Sequence, residues 1–143
     1  MKVLIDTNIL LISIPSKSPY HDIILAFNRR EYQLIITTPI FLEYEEILTN
    51  KANSFVANNV LGALLEAPNV IGTTTYYHWE LITTDPDDNK FTDAYKSGDA
   101  DYLVTHDAHF NKVKQIEFPK INIVTANGFL EILRKTSEAV SFP

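Results

Sequence analysis

The chain has 143 residues, 45% of them hydrophobic and 11% aromatic, a composition that supports one domain with a real core and argues against disorder. It has no cysteine, which excludes disulfides, a thiol nucleophile and a thiolate metal site, and fits a reducing cytoplasm. The net charge is −6, whereas nucleic-acid binders usually carry a basic bias, so where the acids sit matters more than their sum.

The opening stretch has one Lys and then an apolar run too short for a signal-peptide core. No stretch approaches the roughly 20 apolar residues of a membrane span. Val3, Leu4 and Ile5 form a continuous apolar run, the mark of a strand covered on both faces, and the run stops at Asp6. Ligands in open α/β sheets bind outside the carboxyl ends of strands near the topological switch point, so Asp6 stands where a site would be. Asp6 suits an N-cap for the next helix equally well, and Thr7 and Asn8 also cap or turn a chain.

The apolar run Ile9–Ile14 ends at Pro15, and Pro15–Pro19 reads as a loop. Ser18-Pro19 then opens a helix that carries Ile23, Ile24 and Phe27 and ends near Arg29-Arg30. Gln33–Thr37 is a second short buried strand. A helix runs from Thr38-Pro39 to Asn50 and another from Ala52 to Glu66. Asn69–Thr74 and His78–Thr84 are strand candidates, Asp85-Pro86-Asp87 is a turn, and a helix follows to Gly98. Then come the strand Tyr102–Thr105, a short helix His109–Gln115, the strand Ile121–Thr125 and a helix Asn127–Lys135. Short apolar strands alternating with helices predict an α/β fold, a parallel sheet with helices on both faces. Residues 1–136 make a single domain and 137–143 a C-terminal tail, with no repeat or linker.

On a helical wheel with a step of about 100°, Ile40, Phe41, Tyr44, Ile47 and Leu48 cluster on one side of the helix that starts at Thr38. Glu46 lies opposite, as a solvated charge. Glu43 and Glu45 flank the apolar stripe on either side, and the wheel does not choose between them. In the helix after Pro86, Phe91, Ala94 and Tyr95 form the apolar face. Asp88 precedes Phe91 by three and Tyr95 by seven and shares that face, while Asp93 points the other way, toward solvent. Asp87 is the better cap, which leaves Asp88 for a site. Tyr102–Thr105 again ends in a polar turn with an aspartate, Asp107, which either caps the helix beginning at Ala108 or partners Asp6 across strand ends.

Converging carboxylates repel unless a cation compensates or a pKa rises. Without Cys or paired His, the natural compensation is a hard divalent cation, and Mg²⁺ prefers oxygen ligands, waters and substrate phosphate. Such a site activates water and stabilises both oxygens of a phosphodiester displacement.

Ile-Asp-Thr-Asn at 5–8, Thr-Pro-x-x-x-Glu at 38–43, Asp-Pro-Asp-Asp-Asn-Lys-Phe at 85–91 and Ala-Asp-Tyr-Leu-Val-Thr-x-Asp at 100–107 together resemble the PIN-domain family. They look most like its VapC-like subgroup, the toxin components of toxin–antitoxin systems. The resemblance runs in order from residue 2 to about residue 130. It implies a three-layer α/β/α sandwich and a Mg²⁺- or Mn²⁺-dependent endoribonuclease of the cytoplasm, inhibited by a cognate antitoxin protein. Homodimers are common in such families.

The family's four acids carry over onto Asp6, Glu43, Asp88 and Asp107, which selects Glu43 over Glu45. The resemblance makes Asp6 and Asp107 the central metal ligands, with Glu43 and Asp88 completing the set and one of them acting as base. Asn8 and Thr105 match polar motif positions that orient the acids or a metal-bound water, and Asp93 is an outer candidate. Lys90 and Lys112 are close enough in sequence to line a phosphate path, although a solvated lysine is the commoner case. His106 is a candidate phosphate contact against the blander surface histidine. Tyr76, Tyr77 and Trp79 offer a stacking surface for bases, weighed against burial in a core or interface.

Two other classes compete. A PIN-fold RNA- or protein-binding module that has lost catalysis is disfavoured by the complete set of acids. A phosphatase of the haloacid-dehalogenase type needs a second Asp two residues after the first, where this chain has Asn8.

Overall fold

The computed structural model describes residues 1–74, 89–111, 113–115 and 120–141. In chain order it contains β1 (Lys2–Ile5), α1 (Thr7–Ser13), α2 (Asp22–Asn28), β2 (Gln33–Ile36), α3 (Thr38–Lys51), α4 (Ser54–Glu66) and β3 (Val70–Gly72). There follow α5 (Asn89–Ser97), β4 (Tyr102–Val104), two 3₁₀ turns (Ala108–Asn111 and Val113–Gln115), β5 (Ile123–Val124) and α6 (Ala126–Ser141).

The sheet is parallel with strand order β3-β2-β1-β4-β5. From β1 the chain steps outward to β2 and β3, then returns past β1 to add β4 and β5 on the other side. The strand order therefore reverses between β1 and β4, and the crevice at their carboxyl ends is the place where such sheets bind ligands. Val3, Leu4, Ile35, Leu103 and Val104 are completely buried, which needs cover on both faces and makes the fold a three-layer α/β/α sandwich. Helix α5 lies across β1, β2 and β4; α3 packs against α4 and α1, and α2 against α6.

Local chemistry starts the long helices, α3 at Thr38 as expected and α4 at Ser54, two residues after the expected Ala52. The Thr37 hydroxyl accepts the Ile40 N–H at 3.4 Å with Pro39 in the first turn of α3, and the Asn53 side chain accepts the Val56 N–H at 2.8 Å to open α4. At the end of α5, Gly98 is not the residue in the left-handed region. Asp99 is, at φ 52°, with Ala100 N–H returning to Tyr95 O at 2.9 Å. Gly98 is small for another reason: a Cβ there would lie 2.9 Å from the Ile35 side chain, so the helix end sits directly on β2.

Several elements differ from the sequence reading. The helix expected from Ser18-Pro19 begins only at Asp22, because the Ser18 hydroxyl takes the Tyr20 N–H and closes a turn first. His109–Gln115 is a pair of 3₁₀ turns. β5 is shorter than Ile121–Thr125, as suits a strand that pairs only with β4. α6 continues past Lys135 to Ser141, supported by an exposed Glu131–Arg134 pair one turn apart. The strand expected at His78–Thr84 and the turn Asp85–Asp87 lie outside the described residues. Among the described residues no helix is long and apolar enough to cross a membrane.

Candidate active site

The register of β1 and β4 builds the centre of the site. Ile5 pairs with Val104, so Asp6 and Thr105 leave adjacent strands side by side. The Asp6 N–H continues the ladder to Val104 O at 3.0 Å. Thr105 Oγ1 donates to Asp6 Oδ2 at 2.7 Å and accepts the Asp107 backbone N–H at 3.0 Å. One buried hydroxyl thus spends its proton on the first acid and a lone pair on the main chain of the second. Asp6 is only 6% exposed, and Asp107 is half-buried.

Asp6 occupies the N-cap position of α1, and its carbonyl accepts Leu10 N–H, yet its carboxylate makes no capping hydrogen bond. The cap reading of its side chain therefore fails.

Helix α3 delivers the third acid. Of the two flanking glutamates, Glu43 is half-buried whereas Glu45 and Glu46 are exposed. Thr7, the residue after Asp6, donates its hydroxyl to Glu43 Oε2, and Lys90 Nζ meets Glu43 Oε1 at 2.9 Å. The next residue, Tyr44, is fully buried and donates its hydroxyl to Ile5 O, one residue before Asp6. Burial first, and then the nearby Asp6, Tyr32 and Glu43, push the Tyr44 hydroxyl well above its ordinary pKa, so it stays a neutral donor. Thr7 and Tyr44 together fasten α3 to the end of β1. The sequence reading took Thr7 for a turn residue and Tyr44 for core; a buried tyrosine beside a candidate acid, whose hydroxyl must find a partner, was the available signal.

Asp88, Lys112, Tyr76, Tyr77 and Trp79 lie outside the described residues. Asp93 is 4% exposed, which corrects the expectation that it faces solvent. The wheel assumed one apolar side, but α5 buries Phe91 through Tyr95 because it lies across three strands. Asn8 is exposed on the first turn of α1. Lys90 is not a solvated lysine but the half-buried partner of Glu43. His106 Nε2 accepts the Ala126 N–H at 3.1 Å at the start of α6, and its ring meets the edge of Tyr20 at 5.9 Å, so its ordered contacts are structural.

The donors gathered here are all oxygens, as a hard divalent cation requires. Among the described residues no three acidic or histidine side chains come close enough together to hold a metal ion.

The PIN domain family pattern matches residues 2–109, a span that includes Asp6, Glu43, Asp88 and Asp107. The chain belongs to the PIN domain family. A search of solved structures finds similarity to a chain of the crystal structure of VapBC2 from Rickettsia felis bound to a DNA fragment from their promoter. The TM-score is 0.61 at 17% sequence identity, covering 87% of this chain and 98% of the other. At that identity the likeness is one of fold. Comparison with curated proteins gives no match. In this PIN domain the family pattern ends just after β4, so β5 and α6 complete the sheet and its cover outside it.

Proposed function

We propose that this PIN domain is a divalent-metal-dependent endoribonuclease and the toxin of a toxin–antitoxin pair. The observation that carries the reading is the Thr105 hydroxyl, which joins Asp6 to the Asp107 backbone at the sheet's switch point. A buried carboxylate held by a neighbouring strand's hydroxyl, and making no capping bond to its own helix, suits a ligand. Asp6 and Asp107 would hold Mg²⁺ or Mn²⁺, which supplies positive charge for the phosphodiester and an activated water. Thr105 keeps Asp6 aimed, and the Tyr44–Ile5 bond keeps α3 in place. Glu43 and Asp88 complete the acidic cluster, and one of them takes the proton of the attacking water. The local cation offsets the repulsion that a net charge of −6 sets against a nucleic acid.

The neighbour of similar fold is described as VapBC2 with promoter DNA. That supports an antitoxin protein as partner of this chain. A cytoplasmic location and a homodimer accord with the reading.

The test is cleavage of single-stranded RNA by the purified protein in Mg²⁺ or Mn²⁺. Activity is expected to vanish in EDTA and in Asp6→Asn. Equal cleavage by wild type and Asp6→Asn would sink the assignment. Growth arrest on expression, abolished by Asp6→Asn, tests the toxin role separately.

A further inference from the structure

Two features of the Glu43–Lys90 pair do not suit a simple metal ligand with a counter-ion. Both carboxylate oxygens of Glu43 are engaged, Oε2 by the Thr7 hydroxyl and Oε1 by the Lys90 ammonium at 2.9 Å. Glu43 also forms no group of three with Asp6 and Asp107 at metal-holding range. The pair is partly open to solvent, with side-chain exposures of 21% for Lys90 and 23% for Glu43.

We infer that Glu43 does not join Asp6 and Asp107 on a cation but holds Lys90, whose ammonium is the contact for a substrate phosphate. The inference rests on the nuclease reading above. It assigns Glu43 a positioning role. A lysine on a flexible four-carbon stem can leave a carboxylate for a phosphate at little cost, since each supplies an anionic oxygen. Glu43 and the phosphate then compete for one ammonium. That competition keeps a positive charge at the mouth of an acidic site without neutralising the acids that hold the metal.

The test is a double-mutant cycle read by binding, not cleavage. A fluorescein-labelled single-stranded RNA of about 20 nucleotides is titrated in EDTA at low salt, a length that covers a typical single-strand site. Lys90→Met is expected to weaken binding several-fold and Lys90→Arg to restore it. Glu43→Gln is expected to tighten binding, because Lys90 is released, and the gain is expected to disappear in Glu43→Gln/Lys90→Met. An equal gain in both backgrounds would reduce the effect to bulk charge and overturn the inference, as would wild-type affinity in Lys90→Met or no RNA binding by the wild type. In a second arm, Mn²⁺ binding is followed by the electron spin resonance of the free ion. Glu43→Gln is expected to keep the Mn²⁺ that Asp6→Asn loses; loss as complete as in Asp6→Asn would make Glu43 a ligand. Failure of the nuclease reading shows separately, as RNA left intact by the wild type with Mn²⁺ present.

Discussion

Thr105 and Asp6 are neighbours only because β1 and β4 are, and their 2.7 Å hydrogen bond sets the orientation of the first acid. In Thr105→Val the shape is kept, while Asp6 Oδ2 and the Asp107 N–H both lose a partner in a buried place. The expected cost is about 1–3 kcal/mol of stability, measured by urea unfolding, together with a large fall in RNA cleavage. Thr105→Ser retains the hydroxyl and is expected to keep most of both. Full activity in Thr105→Val would show that Asp6 needs no such support.

The buried tyrosines make stability fall in alkali. The hydroxyls of Tyr32 and Tyr44, and to a lesser degree Tyr95, are raised mainly by burial above their ordinary value of 10.0. The folded state therefore holds protons that the unfolded chain gives up. Their stabilisation is fully present below about pH 10 and is lost as pH rises toward the folded values. Tyr32 and Tyr44 each contribute a slope of up to about 1.4 kcal/mol per pH unit in that range. Urea unfolding between about pH 9 and 11 is expected to show a steep decline that is shallower in Tyr32→Phe. A flat profile over that range would contradict the burial of these hydroxyls.

Tyr44→Phe tests the fastening of α3. It removes the bond to Ile5 O and leaves that carbonyl unpaired in the core, at a cost of about 1–3 kcal/mol. Because Glu43 rides on the same helix turn, the RNA affinity of Tyr44→Phe is expected to change as well as its stability. Unchanged affinity beside lowered stability would confine Tyr44 to the core.

The end of α5 offers a pair of opposed substitutions. Gly98→Ala drives a methyl into Ile35 and is expected to cost about 1–3 kcal/mol. Asp99→Gly relieves the left-handed backbone at φ 52° and is expected to stabilise by up to about 1 kcal/mol. Thermal unfolding of the two variants, shifted in opposite directions, checks both assignments. A destabilised Asp99→Gly would mean that the Asp99 side chain matters more than its backbone.

Cation binding at Asp6 and Asp107 would raise the melting temperature. A ligand at about 100 times its dissociation constant adds about 2.7 kcal/mol. Mn²⁺ is expected to stabilise the wild type and Glu45→Gln alike, since Glu45 is exposed, and to leave Asp6→Asn unmoved.

The sequence by itself determined the strand ends. An unbroken apolar triplet before Asp6, and another short buried strand before Asp107, are local facts, because a strand buried on both faces must be apolar throughout and a polar residue must end it. The order of motifs determined the family for the same reason. The wheel did not choose between Glu43 and Glu45, since two flanks of a helix look alike until a neighbour is placed beside one of them; only the family resemblance pointed to Glu43. Tertiary structure alone decided which neighbours the side chains found. It turned Asp93 inward, because α5 is covered on more than the one side a wheel can show. It paired Lys90 with Glu43, residues 47 apart in the chain, and stretched Thr105 between Asp6 and Asp107 across 99 residues of sequence. Those contacts follow from strand order and register, which depend on how the whole sheet is wound and leave no local mark in the chain.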